Sequence, residues 1–122
     1  MALRGLRGAT TIENDSRDLV LAGTRELLEA ILSANPSLRP EDIASALFTV
    51  TEDIASAYPA LAARQMGWNL VPMMCAREIP VRGSLPYCIR VLIHWNAGLA
   101  QDQVRHVYLR DAVRLRPDLA DQ

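Results

Sequence analysis

Much of what would mark a membrane, secreted or nucleic-acid-binding protein is missing from this chain. No apolar run among its 122 residues approaches the roughly 20 residues of a membrane span. Arg4 and Arg7 interrupt the N-terminal apolar residues before they reach signal-peptide length, so a cytoplasmic location without membrane contact is expected. Cysteine is scarce. Cys75 and Cys88 form neither a CxxC pair nor part of a His-rich cluster, which argues against a metal centre or a redox dithiol and fits two free thiols in a reducing compartment. An excess of one charge is also absent: 13 basic and 14 acidic residues leave a net charge of −1, so no global field draws in nucleic acid, and any anion site must be local. The stretch from Arg110 to Arg116 holds three arginines, but an acid lies among them and no aromatics interleave. His94 and His106 have no serine or cysteine arrangement that would make a triad, and both read as structural. Repeats and low-complexity segments are lacking.

What is present fits one domain spanning 1–122, with a tail after about residue 114. A chain this long buries roughly two-thirds of its unfolded surface on folding. Residues 2 to 12 read as a strand, and Gly5 and Gly8 mark places where another backbone or a ligand comes close. Asp15 or Ser16 can cap a helix whose buried face is Val20, Thr24, Leu27, Leu28 and Ile31, with Asn35-Pro36 as the stop. Pro40-Glu41-Asp42 opens a short helical turn, and 46–51 has the composition of a strand. Pro59 starts a second short helix carrying Ala60 and Arg64, which Gly67 ends. Strands are expected at 68–74, 87–95 and 104–109, with a turn at Asn96-Ala97-Gly98. The order is not a strict β-α-β-α, so the expected class is α+β: one mixed sheet with helices on one side. Its other face must be buried by something else, and another subunit is the candidate.

The most telling residue is Arg90, in the run Tyr87-Cys88-Ile89-Arg90-Val91-Leu92-Ile93-His94-Trp95. Strand alternation puts Ile89, Val91, Ile93 and Trp95 on one face and Cys88, Arg90, Leu92 and His94 on the other, so a guanidinium points into largely apolar company and needs an anionic partner. Glu78 and Cys75 in Val71-Pro72-Met73-Met74-Cys75-Ala76-Arg77-Glu78, Arg4 and Arg7 near the start, and Arg105-His106-Val107-Tyr108 near the end supply further donors and acceptors. Together they read as a pocket for a small dianion. Each residue also has a plainer description. Arg90 could pair with a buried carboxylate for folding alone, Cys75 could be a small buried hydrophobe, Glu78 a surface charge beside Arg77, and Arg7 a solvent-facing strand end.

Four motifs lie in order along nearly the whole chain: Arg4-Gly5-Leu6-Arg7-Gly8-Ala9, Cys75-Ala76-Arg77-Glu78, Cys88-Ile89-Arg90-Val91, and Gln101-Asp102-Gln103-Val104-Arg105-His106-Val107-Tyr108-Leu109 followed by Val113-Arg114-Leu115-Arg116-Pro117-Asp118-Leu119. In order and spacing the chain resembles the small monofunctional chorismate mutases of the Bacillus type. The resemblance implies a homotrimeric pseudo-α/β-barrel with sites between subunits. It further implies a cofactor-free isomerase that converts chorismate to prephenate in aromatic amino-acid biosynthesis, with chorismate as the small-molecule partner.

Carried over on these positions, Arg90 donates to the substrate's ether oxygen and a carboxylate, and Glu78 and Cys75 meet the ring hydroxyl. Arg7 and Tyr108 hold the side-chain carboxylate, and Met74, Ala76 and Arg77 complete the substrate contacts. Tyr58, Ala60, Arg64, Met73, Leu115 and Arg116 would form the rim. The rim departs from the family pattern at Leu61, where lysine is common, and at Tyr58, where phenylalanine is usual, and the alignment shifts by one residue across 58–66. A trimeric small-molecule binding module or an imine deaminase of similar architecture is the alternative.

Overall fold

The computed structural model describes residues 1–115. Five strands form one mixed sheet in the order β3-β2-β4-β1-β5, with β1 at Ala2–Thr11, β2 at Ile43–Val50, β3 at Met73–Arg77, β4 at Cys88–Ala97 and β5 at Val107–Tyr108. β1 and β2 each run antiparallel to β4, while β3 is parallel to β2 and β5 parallel to β1. Helices α1 (Arg17–Ala34) and α2 (Ala60–Gln65) complete an α+β, mixed-sheet architecture.

Local chemistry sets the ends of α1. The Ser16 hydroxyl accepts the Leu19 N–H at 3.1 Å, and the Asn35 N–H closes the last turn on the Ile31 carbonyl. Val20, Thr24, Leu27, Leu28 and Ile31 are the buried positions, the spacing of one helical face. That face packs closely on β1: a Cβ added at Gly8 would stand 2.7 Å from Ile31 Cδ1, so the glycine marks a helix–sheet contact. Leu6, Phe48, Ile93, Trp95 and Trp68 fill the same layer and are almost wholly buried, each such side chain contributing roughly 1.5–3 kcal/mol by leaving water.

The opposite face of the sheet is the one that carries Arg90. By register, Arg7 and Leu47 flank Leu92, and Ala9 and Thr49 flank Arg90. A two-turn 3-10 segment, Arg110–Leu115, covers part of this face and buries Ala112 completely against Ala9 and Cys88. Leu47 and Leu92 are half-buried, and Met74, beside Leu47 on β3, is 71 % exposed.

Three segments differ from the sequence expectation. The strand expected at 68–74 begins only at Met73, because Trp68 belongs to the end of α2. Its N–H bonds to the Ala63 carbonyl across Gly67, which sits at φ +94°, and its ring is in the core. The strand expected at 104–109 shrinks to two residues, because side chains replace it along β1. Gln101 brackets Gly5 by accepting its N–H and donating to its carbonyl, and His106 Nδ1 accepts the Arg7 N–H at 3.0 Å. β2 starts at Ile43, earlier than expected, and Asn96 and Ala97 belong to β4, with the turn following them. The covering segment 110–115 had no signal in the sequence pattern.

Candidate active site

Register brings the charged residues together. Arg90 lies opposite Thr49 on β2, and β3 runs on to Glu78, whose N–H donates to the Val50 carbonyl at 2.9 Å. The Glu78 carboxylate accepts the Thr49 hydroxyl on Oε2, and its Oε1 faces Arg90 Nη1 at 3.6 Å. Arg90 is therefore not the deeply buried cation expected from its apolar neighbours. Its side chain is 44 % exposed on the sheet face away from the helices, so no burial penalty has to be neutralised and the pair need not exist for folding.

Arg90 and Glu78 line a cavity of about 260 Å³ with Arg7, Gly8, Ala9, Leu47, Thr49, Leu92, Tyr108 and Leu115. Tyr108 reaches it because β5 pairs Tyr108 with Ala9 of β1, the same residue that lies opposite Arg90 on β4. Among the described residues, two guanidiniums against one carboxylate give this cavity a net positive character suited to an anion. A larger cavity of about 540 Å³ shares Glu78, Arg90 and Leu115 with it and extends under the 79–86 loop, past Thr51, Asp53, Arg82 and Cys88. Burial pushes the Cys88 thiol up to about 11, an effect that nearby Arg90 partly opposes and Glu78 and Asp53 reinforce. The thiol beneath the site is thus neutral at physiological pH and offers no nucleophile.

The other expected contact residues lie elsewhere in the chain. Cys75 pairs with Phe48 on the helix-covered face, opposite to Arg90, and packs against the core. With Tyr58, Ala76 and Arg77 it lines a separate cavity of about 410 Å³. The Arg77 guanidinium is engaged by the chain itself, donating to the Thr51 and Ile54 carbonyls at 3.0 and 2.5 Å. Ala60 is buried in the core and takes no place at a rim, whereas Arg64 and Tyr58 are exposed; Met73 is half-buried. Arg116 lies outside the described residues. His94 shares a hydrogen bond with Ser45 at 2.9 Å across β2 and β4. Sequence reasoning missed Thr49, Thr51 and Asp53; their proximity to Arg90 and Glu78 comes from strand register and a turn, and neither leaves a local motif.

The chain is similar to proteins of one known family. The family described as Chorismate mutase type I matches residues 3–119. The chorismate mutase AroH of Thermus thermophilus is 57 % identical over 117 residues, covering 96 % of each chain, and that of Bacillus subtilis is 45 % identical over 121 residues, covering 98 % of this chain and 94 % of its own. A solved chorismate mutase from Clostridium thermocellum superposes with a TM-score of 0.86 at 44 % identity, over 88 % of this chain and 96 % of that one. The chain belongs to the type I chorismate mutase family.

Proposed function

We propose that this protein is an isomerase that rearranges chorismate to prephenate, a step of aromatic amino-acid biosynthesis, within one domain spanning 1–122. In that reaction a C–O ether bond breaks as a C–C bond forms, negative charge grows on the ether oxygen and positive charge on the ring. Nothing is transferred to the protein, so the requirement is for fixed cations, donors and one carboxylate, without a cofactor. Arg90 is the donor to the ether oxygen; its planar fork can serve that oxygen and a carboxylate together. Glu78, oriented by the Thr49 hydroxyl, takes the ring hydroxyl and lies near the positive end of the transition state. Arg7 and Tyr108 hold the side-chain carboxylate. The single observation that carries this reading is the shared cavity of Arg7, Glu78, Arg90 and Tyr108.

The separation of the expected contacts into two cavities supports a homotrimer with sites between subunits. One chain contributes Arg7, Glu78, Arg90, Tyr108 and Leu115, and its neighbour contributes Tyr58, Arg64, Met73, Met74, Cys75 and Ala76. Leu47, Leu92 and Met74 on the open sheet face are apolar surface that such packing would cover. A cytoplasmic site of action fits the two unbridged thiols. The test is direct: purified protein is mixed with chorismate, and loss of its absorbance is followed together with prephenate formation. Turnover supports the assignment; a folded protein that leaves chorismate unchanged refutes it. The binding-module alternative gains no specific support from the cavity.

A further inference from the structure

The turn after β2 ties together the ends of the two strands that carry Arg90 and Glu78. On the Arg90 side, the Thr51 N–H donates to the Cys88 carbonyl at 3.1 Å and the Cys88 N–H donates back to Thr51 Oγ1 at 3.0 Å. The Thr51 hydroxyl in turn donates to Asp53 Oδ1 at 2.6 Å. Both Asp53 carboxylate oxygens receive the Tyr87 N–H, at 3.2 and 3.0 Å. Tyr87 stands at φ +48°, a left-handed conformation that a bulky side chain avoids unless its surroundings impose it. On the Glu78 side, Arg77 clamps the same turn through the Thr51 and Ile54 carbonyls. Ile54, 1 % exposed, anchors the turn in the core against Val20, Val50 and Ile89.

We propose that Thr51, Asp53 and Arg77 are positioning residues that set the distance between Arg90 and Glu78. The attachments fall two residues before Arg90 and one before Glu78, and Thr51 and Asp53 line the cavity those two share. On the Arg90 side every bond runs through backbone groups or the short side chains of Thr51 and Asp53, and on the Glu78 side the longer Arg77 side chain is fixed at its tip by two backbone carbonyls. Arg77, expected from the resemblance to touch substrate, works instead through Glu78. This inference rests on the isomerase reading above. A gap of this kind matters because a donor displaced by about 1 Å can cost roughly 10²-fold in rate.

The experiment measures chorismate turnover for wild type, Asp53→Asn, Thr51→Val and Thr51→Ser, with thermal melting of each. Thr51→Val keeps the β-branched shape and loses only the hydroxyl; Thr51→Ser keeps the hydroxyl. The expected result is a kcat lowered about 10- to 100-fold in Asp53→Asn and Thr51→Val, with KM changed less than about threefold because Arg7 and Tyr108 stand on β1 and β5. Thr51→Ser restores kcat to near wild type. In an Arg90→Lys background, Asp53→Asn causes little further loss, since a residue acting through Arg90 has nothing left to position. If Asp53→Asn does not fold, Thr51→Val carries the test. The inference is overturned if kcat stays within about twofold while the melting temperature falls, or if the losses multiply in the Arg90→Lys background. Wild type that leaves chorismate unchanged overturns the isomerase reading and this inference with it, whereas active wild type matched by Thr51→Val overturns this inference alone.

Discussion

Arg90 Nη1 stands 3.6 Å from Glu78 Oε1, near enough to attract but beyond hydrogen-bonding distance, and both groups face the same cavity. An exposed, loosely matched pair of this kind contributes about 0–1 kcal/mol to folding. The two charges are therefore better explained by what they present to a bound anion with a hydroxyl than by what they give the fold.

Glu78→Gln separates these roles. Its amide can still accept the Thr49 hydroxyl, so unfolding free energy should change by less than about 1 kcal/mol, while kcat falls by about 10-fold or more as the carboxylate's charge near the ring is lost. Urea titration and chorismate kinetics on the same preparation decide the matter. A matched loss of stability and activity would return Glu78 to the status of a folding residue.

The rearrangement as proposed moves no proton in its chemical step. The kcat measured from pH 6 to 8.5 should accordingly be flat, with no solvent isotope effect in D2O. A bell-shaped profile would instead mean general acid–base chemistry at Glu78 or another group.

Cys88 gives the fold an alkaline weakness. Its thiol ionises at about 11 when folded, against an ordinary value of 9.0, because burial disfavours the thiolate. The neutral thiol's contribution is fully present below pH 9 and is lost as pH rises toward 11, amounting to about 2–3 kcal/mol at the upper end. Denaturant titrations at pH 8 and pH 10.5 should show a larger drop for wild type than for Cys88→Ala. Equal drops would mean that this thiol does not carry the effect.

The proposed sharing of sites between subunits predicts complementation. A variant disabled at Arg90 and another blocked at Cys75, such as Cys75→Arg, should each be inactive alone. After denaturation and joint refolding at equal amounts, random trimers would regain about a quarter of the sites, since each cleft pairs one half from each of two chains. Native mass spectrometry tests the proposed trimer, and the assay reads the recovery. No recovery from mixed, folded oligomers would place the whole site in one chain.

Much of this was legible in the sequence where periodicity or a cap spoke for itself. α1 was readable from Ser16, Asn35 and the Val20-to-Ile31 face, and β4 from its alternation. The motifs around Arg7, Glu78, Arg90 and Tyr108 pointed to one site, and the fold brings those four to one cavity. What stayed hidden depends on partners distant in sequence. Alternation along β3 puts Cys75 on the face away from Arg90, and only the pairing of β3 with β2 reveals which face that is. The short β5 reflects Gln101 and His106 standing in for a strand, which no local pattern encodes. Arg77 beside Glu78 looked like a substrate contact because the carbonyls that hold it come from residues 51 and 54.

The most direct measurement is kcat for Arg90→Lys beside wild type, with the melting temperature and oligomeric state of both recorded. Lysine keeps the charge but lacks the fork that reaches the ether oxygen and a carboxylate together, so kcat should fall by about 10²- to 10³-fold, roughly 3–4 kcal/mol, in a protein that melts within a few degrees of wild type. A variant that turns over chorismate within about threefold of wild type would contradict the account, because the cation at position 90 would then not be what stabilises the transition state.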